Sequence, residues 1–231
     1  MRTYYKPALL VLVCNEDAPA GVCNARNNTS KKHASILANA ANSLYFRYMS
    51  GDRYHIDDQH ATYHLTCTVV DWSDVFTRVD YKYIITDSLN FCIRERGLEC
   101  FAWVIMSNHI HLIARTNPPF EMSDFLRDFK KFISKKIVRT IQEIPESRKE
   151  WMLHKFEYAA HSTGRAENFK LWQDSNHPIC LDTIEKYRQR LNYVHMNPVR
   201  QMLVALPEDY IFSSAGDYAG RRGIVNVTVS Y

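Results

Sequence analysis

Polar and apolar positions in this chain fall into regular order only from about residue 62 onward. Thr62–Val70 (TYHLTCTVV) is dense in β-branched residues and reads as a strand. From Tyr81 to Arg94 the apolar positions 81, 84, 85, 89 and 92 follow one helical face, and Gly97 supplies the stop. A second strand, Leu98–Met106 (LECFAWVIM), enters a tight turn at Ser107 and Asn108, and a third strand, His109–Arg115, leaves it. Asn117-Pro118-Pro119 breaks the chain. Ser123 can cap a helix running to about Gln142, buried through Phe125, Phe129, Ile133, Ile137 and Ile141. Residues 145–180 hold no sustained period and read as irregular. Asp182 or Thr183 caps a last helix with the stripe Ile184, Tyr187, Leu191 and Val194, which Pro198 should terminate. The order β-α-β-β-α predicts an α+β, ferredoxin-like sandwich, an antiparallel sheet with helices packed on one face.

The stretch before residue 49 differs in kind. TYYKPALLVLVCNEDAPAG has the outline of a secretion signal, with a basic start, a short apolar run and small residues. It also fits a strand or arm packed on the domain, or an in-frame extension ahead of a working start at Met49. The organisation expected is an N-terminal extension over 1–48, a functional domain over 49–223 and a tail over 224–231. Apolar residues are 46% and charged residues 23% of the chain, so it can bury a core. The net charge of +4 permits a nucleic-acid partner without requiring one. Six cysteines without a CxxC pair argue against a zinc ribbon or a disulfide framework and for a reducing, cytoplasmic setting. No apolar run reaches the roughly 20 residues of a membrane span.

One motif stands out in MSNHIHLIAR, where two histidines sit one residue apart in an apolar run. On a strand, His109 and His111 point to one face and Ile110 and Leu112 to the other. The pair could converge on one divalent cation, or each ring could simply satisfy a hydrogen-bond partner. Histidine-triad hydrolases want HxHxH, but position 113 is isoleucine. A further ligand should come from another element. On the last helix Tyr193 and Asn197 are four apart and share a face opposite the apolar stripe, together with Lys186 and Arg190. A phenol and an amide oxygen could project from there toward the histidines. Alternatively, Tyr193 is an ordinary surface residue.

SNHIHLIAR, DFLRDFKKFISKKI, LWQDSNHPI, LNYVHMNPVR and PEDYIFSSAGDYAG, in that order, resemble the IS200-like tyrosine transposases, and among them the REP-associated branch. The resemblance spans about Tyr54 to Gly223. It implies the HUH endonuclease version of the ferredoxin-like fold, named for histidine, hydrophobe, histidine. By that resemblance His109 and His111 bind metal, Mg²⁺ or Mn²⁺, and Tyr193 is the nucleophile. Asn197 takes the place of a ligand glutamine, four residues after the tyrosine. Many REP-associated relatives carry an aromatic after the WQ box, where this chain has Asn176-His177-Pro178; His177 could contact DNA there.

The implied reaction is cleavage and rejoining of single-stranded DNA folded as a hairpin, through a 5′-phosphotyrosine, by a monomer or a homodimer. Tyrosine has an ordinary pKa near ~10, so its activation is a chemical demand. Arg127, Lys130, Lys131, Lys135, Lys136 and Arg139 lie on one helix and could neutralise phosphates, or form an ordinary solvated face. Tyr63, Trp72 and Trp172 could stack on unpaired bases or pack in the core. The rival reading is a module that binds structured single-stranded nucleic acid without cutting it. A third is a phosphoesterase with water as nucleophile, which would leave no covalent adduct.

Overall fold

The computed structural model describes residues 55–164 and 166–230. The expectations for residues 1–48, and for a start at Met49, lie outside the described residues. Strand β1 (Tyr63–Thr68) is followed by helix α1 (Val79–Glu95), strands β2 (Leu98–Ile105) and β3 (His109–Thr116), helices α2 (Met122–Glu143) and α3 (Lys149–Thr163), strand β4 (Ile179–Cys180) and helices α4 (Ile184–Arg200) and α5 (Ala215–Tyr218). The sheet order is β2-β3-β1-β4, antiparallel throughout. The expected α+β, ferredoxin-like sandwich is therefore the observed fold.

Strand alternation divides the core. Tyr63, Leu65 and Cys67 of β1, Trp103 and Ile105 of β2, and Ile110, Leu112 and Ala114 of β3 face α1 and α2. Those helices present Tyr81, Ile85 and Leu89, and Phe125, Phe129, Ile133, Ile137 and Ile141, all buried. The opposite face carries Ala102, Val104 and Ile113, and α4 covers part of it with Tyr187 and Val194. Two helices thus pack on one face, as the sequence pattern predicts, while the last helix crosses the other. The histidines of β3 lie beneath that last helix.

Several local readings change. Ser123 does not cap α2: the helix starts at Met122, and the Ser123 amide is satisfied by the Gln59 side chain at 2.9 Å. Residues 149–163 are helical, buried through Met152, Phe156 and Ala160, a one-in-four spacing too sparse to mark a period in the sequence. Gly164 closes that helix in the left-handed region. Thr183, not Asp182, caps α4, its hydroxyl accepting from the Lys186 amide, while Asp182 pairs with the Lys186 ammonium. Pro198 does not terminate α4, which continues to Arg200. Proline removes one amide and strains one turn; so close to the C-terminus the helix absorbs this and ends two residues later.

The tail after Gly223 packs back on the body. Asn90 of α1 donates to the Ile224 carbonyl and accepts from the Asn226 amide, and Thr228 donates to the Cys100 carbonyl. Cys67, Cys92 and Cys100 are free and buried, and Cys180 is free and exposed. Among the described residues no helix is long and apolar enough to cross a membrane.

Gly97, between α1 and β2, has φ of +60°, and a Cβ there would meet the Phe120 ring at 2.6 Å. Gly97→Ala should therefore lower unfolding stability by about 2 kcal/mol or more, from left-handed backbone cost plus the clash. Urea denaturation of the full chain, scored as the change in midpoint at constant slope, measures this.

Candidate active site

The β2–β3 hairpin is anchored before any side chain is considered. The Met106 amide donates to the His109 carbonyl, the Phe76 amide to the Ser107 carbonyl and the Val69 amide to the Asn108 carbonyl. This fixes the start of β3, so alternation places His109 and His111 on one face, opposite Thr68 and Thr66 of β1. Both rings are buried and their centroids lie 4.8 Å apart.

Hydrogen bonds orient each ring the same way round. The Asn108 amide nitrogen donates to the Trp72 carbonyl and to Asp74 Oδ1, each at 3.1 Å, so its oxygen faces His109. His109 Nδ1 donates to that oxygen at 2.6 Å. The lone pair of His109 is thereby left on Nε2. Thr66 Oγ1 lies 3.0 Å from His111 Nδ1, and His111 Nε2 is buried with no hydrogen-bond partner among the described residues. Ligating histidines in metal proteins are oriented by this kind of outer hydrogen bond at the other ring nitrogen. Burial holds both rings below the usual imidazole range, and His111 is depressed further by His109, His64 and Arg190 beside it. Neutral rings are the form that binds a cation.

The pattern of the last helix delivers the rest. Tyr193 of α4 packs its ring edge-on against His111, with centroids 5.1 Å apart. Asn197, one turn on, is buried on the same helix. Arg200 and Arg190 lie over the Tyr193 ring, 5.2 and 6.0 Å from its centroid. Neutral imidazole nitrogens suit a divalent cation, and the unpartnered His111 nitrogen is the atom such an ion would satisfy; among the described residues no group of three or more His, Cys, Asp or Glu side chains is gathered to hold one.

Sequence reading missed His64. It lies on β1 two residues from Thr66, so it shares the histidine face, and it stacks on His111 at 5.2 Å with its edge toward Tyr193 at 6.0 Å. Both its ring nitrogens are buried without hydrogen-bond partners among the described residues, and burial, with Arg190 nearby, pulls its pKa down to about 4. Strand parity in TYHLT was the available signal, but a third histidine could be placed only once the register between β1 and β3 was known.

The basic helix lies elsewhere. α2 packs on the face opposite the histidines. Arg127 pairs with Asp124 and Asp128, and Arg139 with Glu143. Lys130 is half-buried and donates to the Gln173 carbonyl at 2.9 Å and to Asn176 Oδ1 at 2.7 Å, bracing the WQ segment along the edge of β1. Lys131, Lys135 and Lys136 are exposed. Of the stacking candidates, Tyr63 and Trp172 are core residues, whereas Trp72 is 60% exposed.

Residues 58–174 match the family model described as "Transposase IS200 like". The chain belongs to the IS200-like transposase family. The matched segment includes the histidine pair and ends before α4. Among solved structures, the chain is similar to a REP-associated tyrosine transposase bound to a REP hairpin, with 21% identity, 78% of this chain and 91% of that one covered, and a TM-score of 0.50. That likeness is one of fold. It is also similar to a protein of Deinococcus radiodurans assigned as a transposase, with 17% identity, 62% of this chain and 95% of that one covered, and a TM-score of 0.39. No curated protein matches the chain.

The buried histidines make stability pH-dependent. His64 and His195 have pKa values of about 4 in the folded chain, His195 through burial beside Ser214, against about 6.5 unfolded. The unfolded state therefore binds more protons between those values, and stability falls as pH is lowered through that window. In EDTA, urea midpoints should be level above pH 7 and drop steeply from about pH 6.5 to about 4, and His64→Phe should flatten the drop.

Proposed function

We propose that the chain is a metal-dependent single-strand DNA transposase that cleaves and rejoins hairpin-bearing DNA through a 5′-phosphotyrosine intermediate. The observation that carries this is the Tyr193 ring seated on His111, with Arg190 and Arg200 over the phenol. His109, His111 and Asn197 would hold Mg²⁺ or Mn²⁺. A divalent cation held there supplies electrophilic polarisation of the scissile phosphate. The mixed nitrogen and oxygen donors favour Mn²⁺ over the harder Mg²⁺.

The chain's own residues account for the remaining steps. Arg190 and Arg200, which have no carboxylate partner among the described residues, receive the phosphate oxygens beside the phenol. Tyr193 Oη bonds to phosphorus as the bond to the 3′-oxygen breaks; the phenol gives up its proton and the 3′-oxygen leaves as a hydroxyl. The phosphodiester becomes a phosphotyrosyl ester, so a second 3′-hydroxyl can reverse the step and join strands without ATP. The relative that is bound to a REP hairpin supports a hairpin substrate here. Lys131, Lys135 and Lys136 are proposed as outlying phosphate contacts, with Arg127 and Arg139 available once their helix partners are displaced; Lys130 would act by holding the WQ segment.

Incubation of the full chain with Mn²⁺ and end-labelled hairpin-bearing oligonucleotides should give a band that stays bound to protein on a denaturing gel. Tyr193→Phe should lower its yield by roughly 10³-fold or more. Cleavage by Tyr193→Phe at the wild-type rate would refute the nucleophile and favour water. Binding without cleavage by the wild type would favour a binding module. Asn108→Ala frees the His109 ring and should weaken Mn²⁺ binding roughly 10- to 100-fold in calorimetric titration while Tyr193→Phe leaves it unchanged.

A further inference from the structure

We propose that the cavity beside His109, lined by Trp72, Trp151, Arg148 and Lys155, is a nucleobase site that seats one unpaired base of the strand flanking the cut. This rests on the transposase reading and adds to it a place that selects the strand's conformation. The cavity has a volume of about 460 Å³ and is a shallow one, open to solvent over much of its extent.

Four observations support it. Of the four tryptophans, Trp103 and Trp172 are buried, while Trp72 and Trp151 are 60% and 46% exposed and line this one cavity. The display of Trp72 is imposed by the backbone: Asp71 and Trp72 have φ of 53° and 52°, consecutive left-handed residues without a glycine. Such a conformation persists only where the surroundings enforce it, and here Arg148 donates to the Asp74 carbonyl at 2.6 Å and to Thr77 Oγ1 at 3.0 Å, while Asn108 holds the Trp72 carbonyl. Neither cation of the lining is free, and the carboxylates Asp71, Asp74 and Glu146 outnumber Lys155 and Arg148. Lys155 lies 3.6 Å from Asp71 and 4.9 Å from the Trp151 ring centroid, and Arg148 is paired with Glu146. A neutral aromatic ring with polar edges fits this lining better than a bare phosphate does. Finally, the Trp72 ring is 6.2 Å from the His109 ring, and the same Asn108 amide that orients His109 also holds the Trp72 and Asp74 turn. A base stacked on Trp72 is therefore held one ring away from His109.

The test uses fluorescence anisotropy of the full chain, in EDTA, with a labelled mixed-sequence single-stranded dodecamer and with a dodecamer made wholly of abasic sugar-phosphate. Wild type should bind the intact strand about tenfold more tightly than the abasic one, as expected for one or two stacked bases. Trp72→Ala/Trp151→Ala should bring that ratio close to one, and Trp72→Phe should retain most of it. An unchanged ratio in the double variant overturns the proposal. Loss of the ratio in Trp72→Phe as well, with an unchanged melting curve, also overturns it, because stacking tolerates a phenyl ring. Phosphotyrosine formation by the wild type is scored separately. Adduct with no base preference removes only this site, and base preference without adduct removes only the cleavage reading.

Discussion

A strand covered on both faces has no inexpensive place for an imidazole, and β3 carries two. Its alternation is fixed by Ile110 and Leu112, which must face α1 and α2, so His109 and His111 must face α4. Buried polar groups are normally hydrogen-bonded, and one left unsatisfied costs about 1–3 kcal/mol. Here each Nδ1 is satisfied, yet His111 Nε2 and both nitrogens of His64 are not. The large core beneath the sheet tolerates that cost. At His111 one ring nitrogen is hydrogen-bonded while the other is buried without a partner among the described residues.

The parts of this arrangement legible in sequence are those that depend on local period. The three main strands, the two helices under the sheet and the facing of the histidine pair follow from alternation and helical spacing. What escaped the sequence depends on contacts between distant segments. β4 is two residues long and gains its place by pairing with Tyr63 and His64. Helix α3 buries only Met152, Phe156 and Ala160, too few to announce a face. His64 joins the site through register with β3, and the Gln59 side chain takes over the capping role assigned to Ser123. Tyr193 could be read as a surface residue from helix spacing alone, because the β2–β3 face it meets was not yet in view.

Pro198 breaks a local rule of helix structure without ending the helix. A proline after Asn197 should unwind the last turn, and with it the amide. Instead the Gln201 amide donates to the Asn197 carbonyl at 3.2 Å and Leu203 to the Pro198 carbonyl at 2.9 Å, so the turn closes past the proline. Pro198 is itself buried. A rigid ring in the interior fixes φ at its own position and disfavours helical geometry at the residue before it, yet Asn197 stays within the helix.

Charge placement argues in the same direction. A row of basic residues on one helix invites the reading of a DNA platform, but the carboxylates and carbonyls around α2 already engage Arg127, Arg139 and Lys130. Surface pairs of this kind contribute little to stability, about 0–1 kcal/mol each, and they lower the field the helix projects toward a polyanion. The guanidinium groups of Arg190 and Arg200 stand over Tyr193 with no carboxylate beside them among the described residues. A phosphate drawn to this chain therefore gains most beside uncompensated guanidinium groups. Exposed lysines on the far face add long-range attraction that salt screens over about 10 Å, whereas the arginines over the phenol act at contact distance. The uncompensated positive charge nearest the histidine face thus lies on α4 rather than on α2.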